Sequence, residues 1–222
     1  YLLNNSIDRS TDKEYTDLCE KYDFTQIKKD NIGICGGRQF IAEHFNKTNL
    51  DYYYFFEDDM FFYNGDKKTC TLGFPRRVEG IHNRVLTIAQ VEKLDFLKLN
   101  FTEFFGDNSK QWAWNNLPED KKKLFFPHSK NQPYTSFKNI KSLGVPYALG
   151  DVYYCNWPQL VSRVGNTKMF LDLKWEYPYE QTWMSHFYHL TREGKLKGAV
   201  LLATPTLHDR FDHYDKEIRR EN

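Results

Sequence analysis

The sequence predicts an α/β fold built on a mostly parallel, doubly wound sheet flanked by helices. Three observations carry this reading. The first 63 residues alternate strand, helix, strand, helix, strand, the signature of parallel strands joined by crossovers. Tyr52-Tyr53-Tyr54-Phe55-Phe56 is a run of aromatics that reads as a strand buried on both faces. Near the other end, Gly198–Ala203 reads as a last buried strand behind a helix over Tyr179–Glu193.

Taken in order, Tyr1-Leu2-Leu3 is a short apolar strand end followed by a polar turn, Asn4–Ser10. Thr11 and Glu14 are spaced as a capping box. Behind them Tyr15, Leu18, Cys19 and Tyr22 recur at i, i+3, i+4, i+7, one face of a helix ending near Lys21–Asp23. Thr25–Lys28 is a second short strand. Asn31–Arg38 is a glycine-rich turn into another helix, with Phe40, Ile41 and Phe45 on its buried face. The aromatic strand follows. Residues 64–146 are less regular, with a helix expected over Thr87–Leu97, and read as an irregular insert. Tyr147–Cys155 is strand-like. In the helix over Tyr179–Glu193, Trp183, Met184, Phe187 and Leu190 face inward and Gly194 is the stop. The chain thus divides into a ligand-binding half, 1–63, the insert, 64–146, and a second half, 147–222, of the same domain.

Composition narrows the function classes. With 31 Lys+Arg against 30 Asp+Glu the net charge is +1, which is no electrostatic footprint for nucleic acid. No apolar run approaches the ~20 residues of a membrane span. Cys19, Cys35, Cys70 and Cys155 form no Cys-x-x-Cys pair and read as free thiols of a reducing, cytoplasmic compartment. The opening Tyr-Leu-Leu carries no initiator Met, so further domains of a longer protein are expected.

The chemistry concentrates at Glu57-Asp58-Asp59, which follow the aromatic run without a spacer. Carboxylates are too costly to bury unpaired, so they emerge where the strand ends, and in open α/β sheets that is where ligands bind. Converging carboxylates there suit a hard divalent cation that keeps waters and takes phosphate oxygens. The bland alternative is a solvated acidic turn.

The order of motifs resembles the family 2 glycosyltransferases of the GT-A fold. Their Asp-rich opening turn is matched by Asn4-Asn5-Ser6-Ile7-Asp8-Arg9-Ser10-Thr11-Asp12, and their Asn-x-Gly-x-x-x-Ala-Arg-Asn turn by Asn31–Gln39. Glu57-Asp58-Asp59 stands for the Asp-x-Asp strand end. About 120 residues later, Glu180-Gln181 stands for a Glu-Asp pair at a helix start, and His208 for a histidine closing the last strand. The match covers about 1–63 and 147–210. Three departures accompany it: the family's first strand and helix are expected upstream of Tyr1, Glu57 replaces the first Asp with the same charge, and Gln181 replaces the second acid of the pair that supplies the general base.

The resemblance implies a nucleotide-sugar donor, a glycan acceptor and Mn²⁺ or Mg²⁺. Asp59 would ligate the metal, Glu57 or Asp58 would hold the ribose or a metal-bound water, and His208 would be a further ligand through a neutral imidazole. Arg38, after the glycines, would meet a phosphate with the help of the helix N-terminus. Asn4, Asn5 and Asp12 would contact the nucleoside, and Asp151 a donor-sugar hydroxyl. Glu180 is the expected base, with Glu176 in reserve; a helix-start acid can equally serve only the helix dipole. Trp112 and Trp114 share one face if extended and offer rings to an acceptor sugar; Trp157 and Trp175 are similar, and core packing is the alternative for all four. Two other readings stand beside this one: a catalytically silent nucleotide-sugar or glycan-binding domain, and a nucleotidyltransferase. The latter calls for a phosphate loop with a Lys after the first strand, which is not visible.

Overall fold

The computed structural model describes residues 1–70, 73–101, 119–120, 137–141, 143–173 and 180–208. Its centre is a six-stranded mixed sheet in the order β3-β8-β5-β9-β7-β6. These strands are β3 (Tyr52–Phe55), β5 (Phe96–Lys98), β6 (Phe137–Ile140), β7 (Tyr147–Gly150), β8 (Gln159–Ser162) and β9 (Gly198–Leu201). Two smaller sheets flank it: β1 (Leu2–Asn4) lies parallel to β2 (Gln26–Lys28), and β4 (Met60–Phe62) antiparallel to β10 (Thr206–His208).

Period-2 alternation sorts the core into two layers. Phe96, Val161, Val200 and Ala148 point to one face, where they meet Ala42 of helix α2 (Gly33–Asn46) and Trp183 and Phe187 of helix α5 (Glu180–Arg192). The same layer holds Met169 and Phe170, on a π-helical turn (Thr167–Leu171) that continues the short helix α4 (Arg163–Asn166). Their neighbours Leu97, Leu160, Ala199 and Tyr147 point to the other face, against Val85, Ile88 and Ala89 of helix α3 (Ile81–Glu92). Helices therefore cover both faces, as the sequence predicts. Helix α5 follows its expected pattern: Trp183 and Phe187 are fully buried, Met184 and Leu190 partly so, and Gly194 ends it at φ +69°.

Several expectations are corrected. Only β5 and β9 run parallel within the main sheet; the other pairings are antiparallel. The reason lies in the connections. β7 returns directly from β6 as an antiparallel neighbour, and residues 151–158 then climb back the length of the sheet, so that β8 descends between β3 and β5. The aromatic strand β3 is an edge strand. Tyr52, Tyr53 and Tyr54 are half-buried, Phe55 is buried and Phe56 is exposed. The region 64–146 is not simply an insert, because β5, its residues buried throughout, is a central strand. Helix α3 begins earlier than expected and ends at Glu92, leaving Phe96–Lys98 to the sheet. On helix α1 (Asp12–Tyr22), Thr11 makes no side-chain cap bond, and of the expected apolar face only Cys19 is buried. Arg38 lies inside α2 rather than at its start, because the helix already begins at Gly33.

The end of the sheet remote from the acids is locked by Asp95. Its carboxylate accepts from Lys168 Nζ and from the Lys197 backbone N–H, both at 2.8 Å, and its carbonyl accepts from the Ser162 N–H at 3.0 Å. Ser162 in turn caps α4, accepting from the Gly165 N–H at 3.0 Å. A Cβ on Gly165 would sit 2.0 Å from the Asp95 carbonyl oxygen, a backbone atom that cannot swing away. Gly165→Ala is therefore expected to cost at least the roughly 1–3 kcal/mol typical of overpacking. Urea unfolding checks this: the midpoint should fall at constant m-value, and an unchanged midpoint would show that α4 relaxes freely.

Candidate functional site

Strand register defines one end of the sheet as the site. Phe55 is level with Gln159, Gln159 with Lys98, and Lys98 with Val200. The residues just beyond these four, Glu57-Asp58-Asp59 after β3, Trp157 before β8, Asn100 after β5 and Leu202 after β9, all emerge together. His208 joins them because β10 pairs with β4, which sets His208 opposite Met60, the residue after Asp59.

The ligand atoms of Glu57, Asp59 and His208 lie within 4.8 Å of one another. All three residues are half-buried, while Asp58 is exposed. His208 Nε2 stands 3.7 Å from Asp59 Oδ1, and the His208 side chain is only 7% exposed. Two carboxylates and an imidazole at this spacing can hold a divalent cation and leave open positions for water or phosphate oxygens. The Trp157 ring lies 5.8 Å from the His208 ring and walls the site on one side. On the other side the Tyr15 hydroxyl of α1 reaches Asp58 at 3.4 Å. Burial, and then the Asp58 carboxylate, raise the Tyr15 phenol above its usual range.

Behind the acids sits a buried cation. Arg38 is 3% exposed; its guanidinium lies 3.6 Å over the Phe55 ring and 4.7 Å from that of Phe170, and Nη2 donates to the Tyr154 hydroxyl at 2.8 Å. Nε and Nη1 are buried without a hydrogen-bond acceptor among the described residues. A buried charge is normally paired, so an Arg held only by rings and a phenol, two residues behind an acidic turn, is a costly arrangement. Tyr154 and Tyr53 are both pushed up by burial, partly offset by Arg38, so both stay neutral phenols.

The remaining expected residues fall into three groups. Asn4, Asn5 and Asp12 come together but are engaged with their own loops. Asn4 Nδ2 donates to Asp12 at 2.8 Å, Asp12 also pairs with Lys28 at 3.0 Å, and Asn5 accepts from the Ile32 N–H and donates to the Gly33 carbonyl. Asp151 is a correction. It follows β7, which runs antiparallel to β9, so it stands at the opposite end of the sheet, offset by about 17 Å along the strands at ~3.3 Å per residue and by four strands across the sheet from β3. Trp112, Trp114, Trp175 and Glu176 lie outside the described residues. The backbone of Glu180 is the first residue of α5. Contacts along this helix run from Thr191 at the Val152 carbonyl to Phe187 against Tyr154. The N-terminal turn therefore lies toward the acid end, about 16 Å further along at 1.5 Å per residue.

Sequence reasoning passed over the polar groups beneath the triad. Asn156 is 4% exposed, and among the described residues neither its amide atoms nor the buried Thr204 and Thr206 hydroxyls find a hydrogen-bond partner. Unsatisfied polar groups at a strand end are costly and mark places where a ligand or water completes the bonding. Only the unusual string Cys155-Asn156-Trp157-Pro158 ahead of β8 could have signalled them. Among the described residues no helix is long and apolar enough to cross a membrane, and all four cysteines are buried thiols outside any disulfide. Comparison with family models, with curated proteins and with solved structures finds no match, so the resemblance to family 2 glycosyltransferases rests on the motifs of the chain itself.

Proposed function

We propose that this chain is a metal-dependent, inverting glycosyltransferase domain of GT-A-like architecture. It would move a sugar from a nucleoside-diphosphate sugar to a hydroxyl of a glycan or related acceptor. The observation that carries this reading is the convergence of Glu57, Asp59 and His208 at the end of β3. The donor set fits Mn²⁺ or Mg²⁺, and the imidazole inclines it toward Mn²⁺. The cation, when bound, supplies Lewis-acid neutralisation of the leaving diphosphate.

The chain's own residues do the rest. Asp58, exposed beside Tyr15, accepts from a ribose hydroxyl. Arg38, buried behind Phe55, acts through its positive field on the diphosphate rather than by surface contact. Trp157 offers its ring to the sugar. Glu180 takes the proton from the acceptor hydroxyl as that oxygen bonds to the anomeric carbon from the face opposite the phosphate. The carbon–oxygen bond to the diphosphate breaks, the nucleoside diphosphate carries away the electron pair, and the configuration inverts. The thiols, outside any disulfide, accord with a cytoplasmic setting. Gln181, second residue of α5 where the family has an acid, favours the alternative of a catalytically silent nucleotide-sugar or glycan-binding domain.

Asp59→Asn should abolish the Mn²⁺-dependent thermal stabilisation given by a nucleoside diphosphate while the apo protein melts as before. His208→Ala should weaken the same complex by about 1–3 kcal/mol, the range for losing a bond to a charged centre. Titration calorimetry at saturating Mn²⁺ reads both, and parent-like binding by both variants would move the metal site elsewhere.

Glu180→Gln removes the base and keeps the shape. Transfer should fall about 10²–10⁴-fold with donor affinity unchanged. Parent-rate transfer by this variant, with loss in Glu176→Gln instead, would make Glu176 the base. A parent that binds metal and nucleotide yet transfers to no acceptor would leave the silent-domain reading.

A further inference from the structure

The ribbon that carries His208 and Asp59 at one end carries a cationic groove at the other. Tyr63 N–H bonds the Pro205 carbonyl at 2.8 Å, extending the β4–β10 pairing past Phe62. Beyond it the chain folds back on itself: the Arg76 N–H donates to the Lys68 carbonyl at 2.9 Å, and Thr69 bridges Pro75. The hairpin is clipped to the core by the Thr204 N–H, which donates to the Pro75 carbonyl at 2.9 Å. Four cations, Lys67, Lys68, Arg76 and Arg77, are thereby gathered at the open end of one hairpin. The backbone register sets Lys68 opposite Arg76 across it.

Two cavities open there and share Arg77. One, of about 160 Å³, is lined by Phe62, Tyr63, Arg76, Arg77 and Pro205 among others. The other, of about 320 Å³, is lined by Asp66, Lys67, Lys68 and Arg77. Asp66 is the one acid in either lining. The Arg76 guanidinium lies 5.2 Å from the Tyr63 ring, and Arg77 Nη2 donates to the Gly65 carbonyl at 3.0 Å. Lys67, Lys68 and Arg77 have no carboxylate within ion-pair reach among the described residues. Phe62 is 53% exposed beside them. In a chain of net charge +1, four cations against the single acid Asp66 are a local concentration of positive charge.

We propose that this groove binds an anionic saccharide, a sugar chain bearing carboxylates or sulfates, as the acceptor of the proposed transfer; the inference rests on that reading. Rings set beside cations suit sugars that carry negative groups: an apolar sugar face packs on Phe62 or Tyr63 while the anion meets Lys or Arg. From Asp59 to Tyr63 the ribbon is about 13 Å long at ~3.3 Å per residue. A short oligosaccharide lying along it reaches the acids with its terminal hydroxyl while its anionic residues stay in the groove. The near-neutral charge of the whole chain argues against nucleic acid as the occupant.

The test measures binding of an oligogalacturonide, a heparin oligosaccharide and a neutral malto-oligosaccharide to the parent, to Lys67→Glu/Arg77→Glu and to Asp59→Asn. The parent should bind one or both anionic chains with a salt-dependent affinity and the neutral chain far more weakly, and the preferred chain tells carboxylate from sulfate. The double variant should lose about tenfold or more, equivalent to ~1.4 kcal/mol, while retaining the Mn²⁺–nucleotide thermal shift that shows it folded. Asp59→Asn should bind the anionic chain as the parent does. Equal binding of all three chains, equal binding by parent and double variant, or binding to single-stranded DNA or anionic vesicles in preference to both anionic sugars would overturn the proposal. Salt-dependent anionic-sugar binding by a parent that binds no metal or nucleotide would keep the groove and sink the transferase reading. Transfer to the anionic acceptors at the parental rate in the double variant would do the reverse.

Discussion

The double pairing of β8 governs this molecule. A single strand of four residues, Gln159–Ser162, bonds to β3 on one side and β5 on the other, antiparallel to both. Because it descends, its N-terminal end is level with the C-terminal ends of its neighbours. That brings Asn156 and Trp157 up beside Glu57-Asp58-Asp59. Were β8 parallel, Ser162 and α4 would stand at the acids, and the groups that now line the site would be at the far end. The Asp95 lock at the remote end, bonding β5 to β8, the π-helical turn after α4 and the approach to β9, holds that register against slippage. A slip by one residue would turn every side chain of the strand to the wrong layer.

A site at such a strand end inherits a conflict between stability and use. Among the described residues, Arg38 sits in an aromatic box without an acid, Asn156 is buried with its amide unbonded, and the Thr204 and Thr206 hydroxyls find no partner. Each is a local departure from the rule that buried polar groups are satisfied. These four lie toward one end of the main sheet, whereas at the opposite end Asp95 accepts through both its carboxylate and its carbonyl. Departures of this kind are expected where a structure holds groups ready for a ligand. The proposed anionic-saccharide groove shows the same logic at the surface, in like charges gathered across one hairpin.

The architecture also separates roles by element. The turn after β1 is tied down by Asn4, Asn5 and Asp12, whose polar groups bond each other and the start of α2. That leaves Asp58, reached by Tyr15, as the exposed carboxylate on the α1 side of the acids. The short ribbon of β4 and β10 couples the acids to the groove, because one end holds Asp59 and His208 and the other opens at Tyr63 and Pro205.

Much of this was legible in the sequence. The periodicity of Trp183, Met184, Phe187 and Leu190 settled α5, since an amphipathic helix announces its own buried face. The acids Glu57-Asp58-Asp59 were legible as a strand-end group, because carboxylates cannot stay inside an aromatic strand and must appear at its end, whereas His208 was joined to them only by the resemblance to a known family. Strand direction was not legible. Short runs such as Gln159–Ser162 pack as well parallel as antiparallel, and only the path of residues 151–158 beneath α5 decided the matter. Nor was β5 recognisable, since Asp95, Lys98 and Asn100 interrupt its apolar pattern and are tolerated only because neighbouring strands and Tyr153 supply their bonds. Asp151 was misplaced for the same reason: a position next to a strand end is local, but which end of the sheet it occupies depends on strand direction. The sequence by itself determined which residues must avoid the core and which helices form, because those are local costs. Tertiary structure alone decided which of the polar residues meet, because that depends on the pairing of strands distant in the chain.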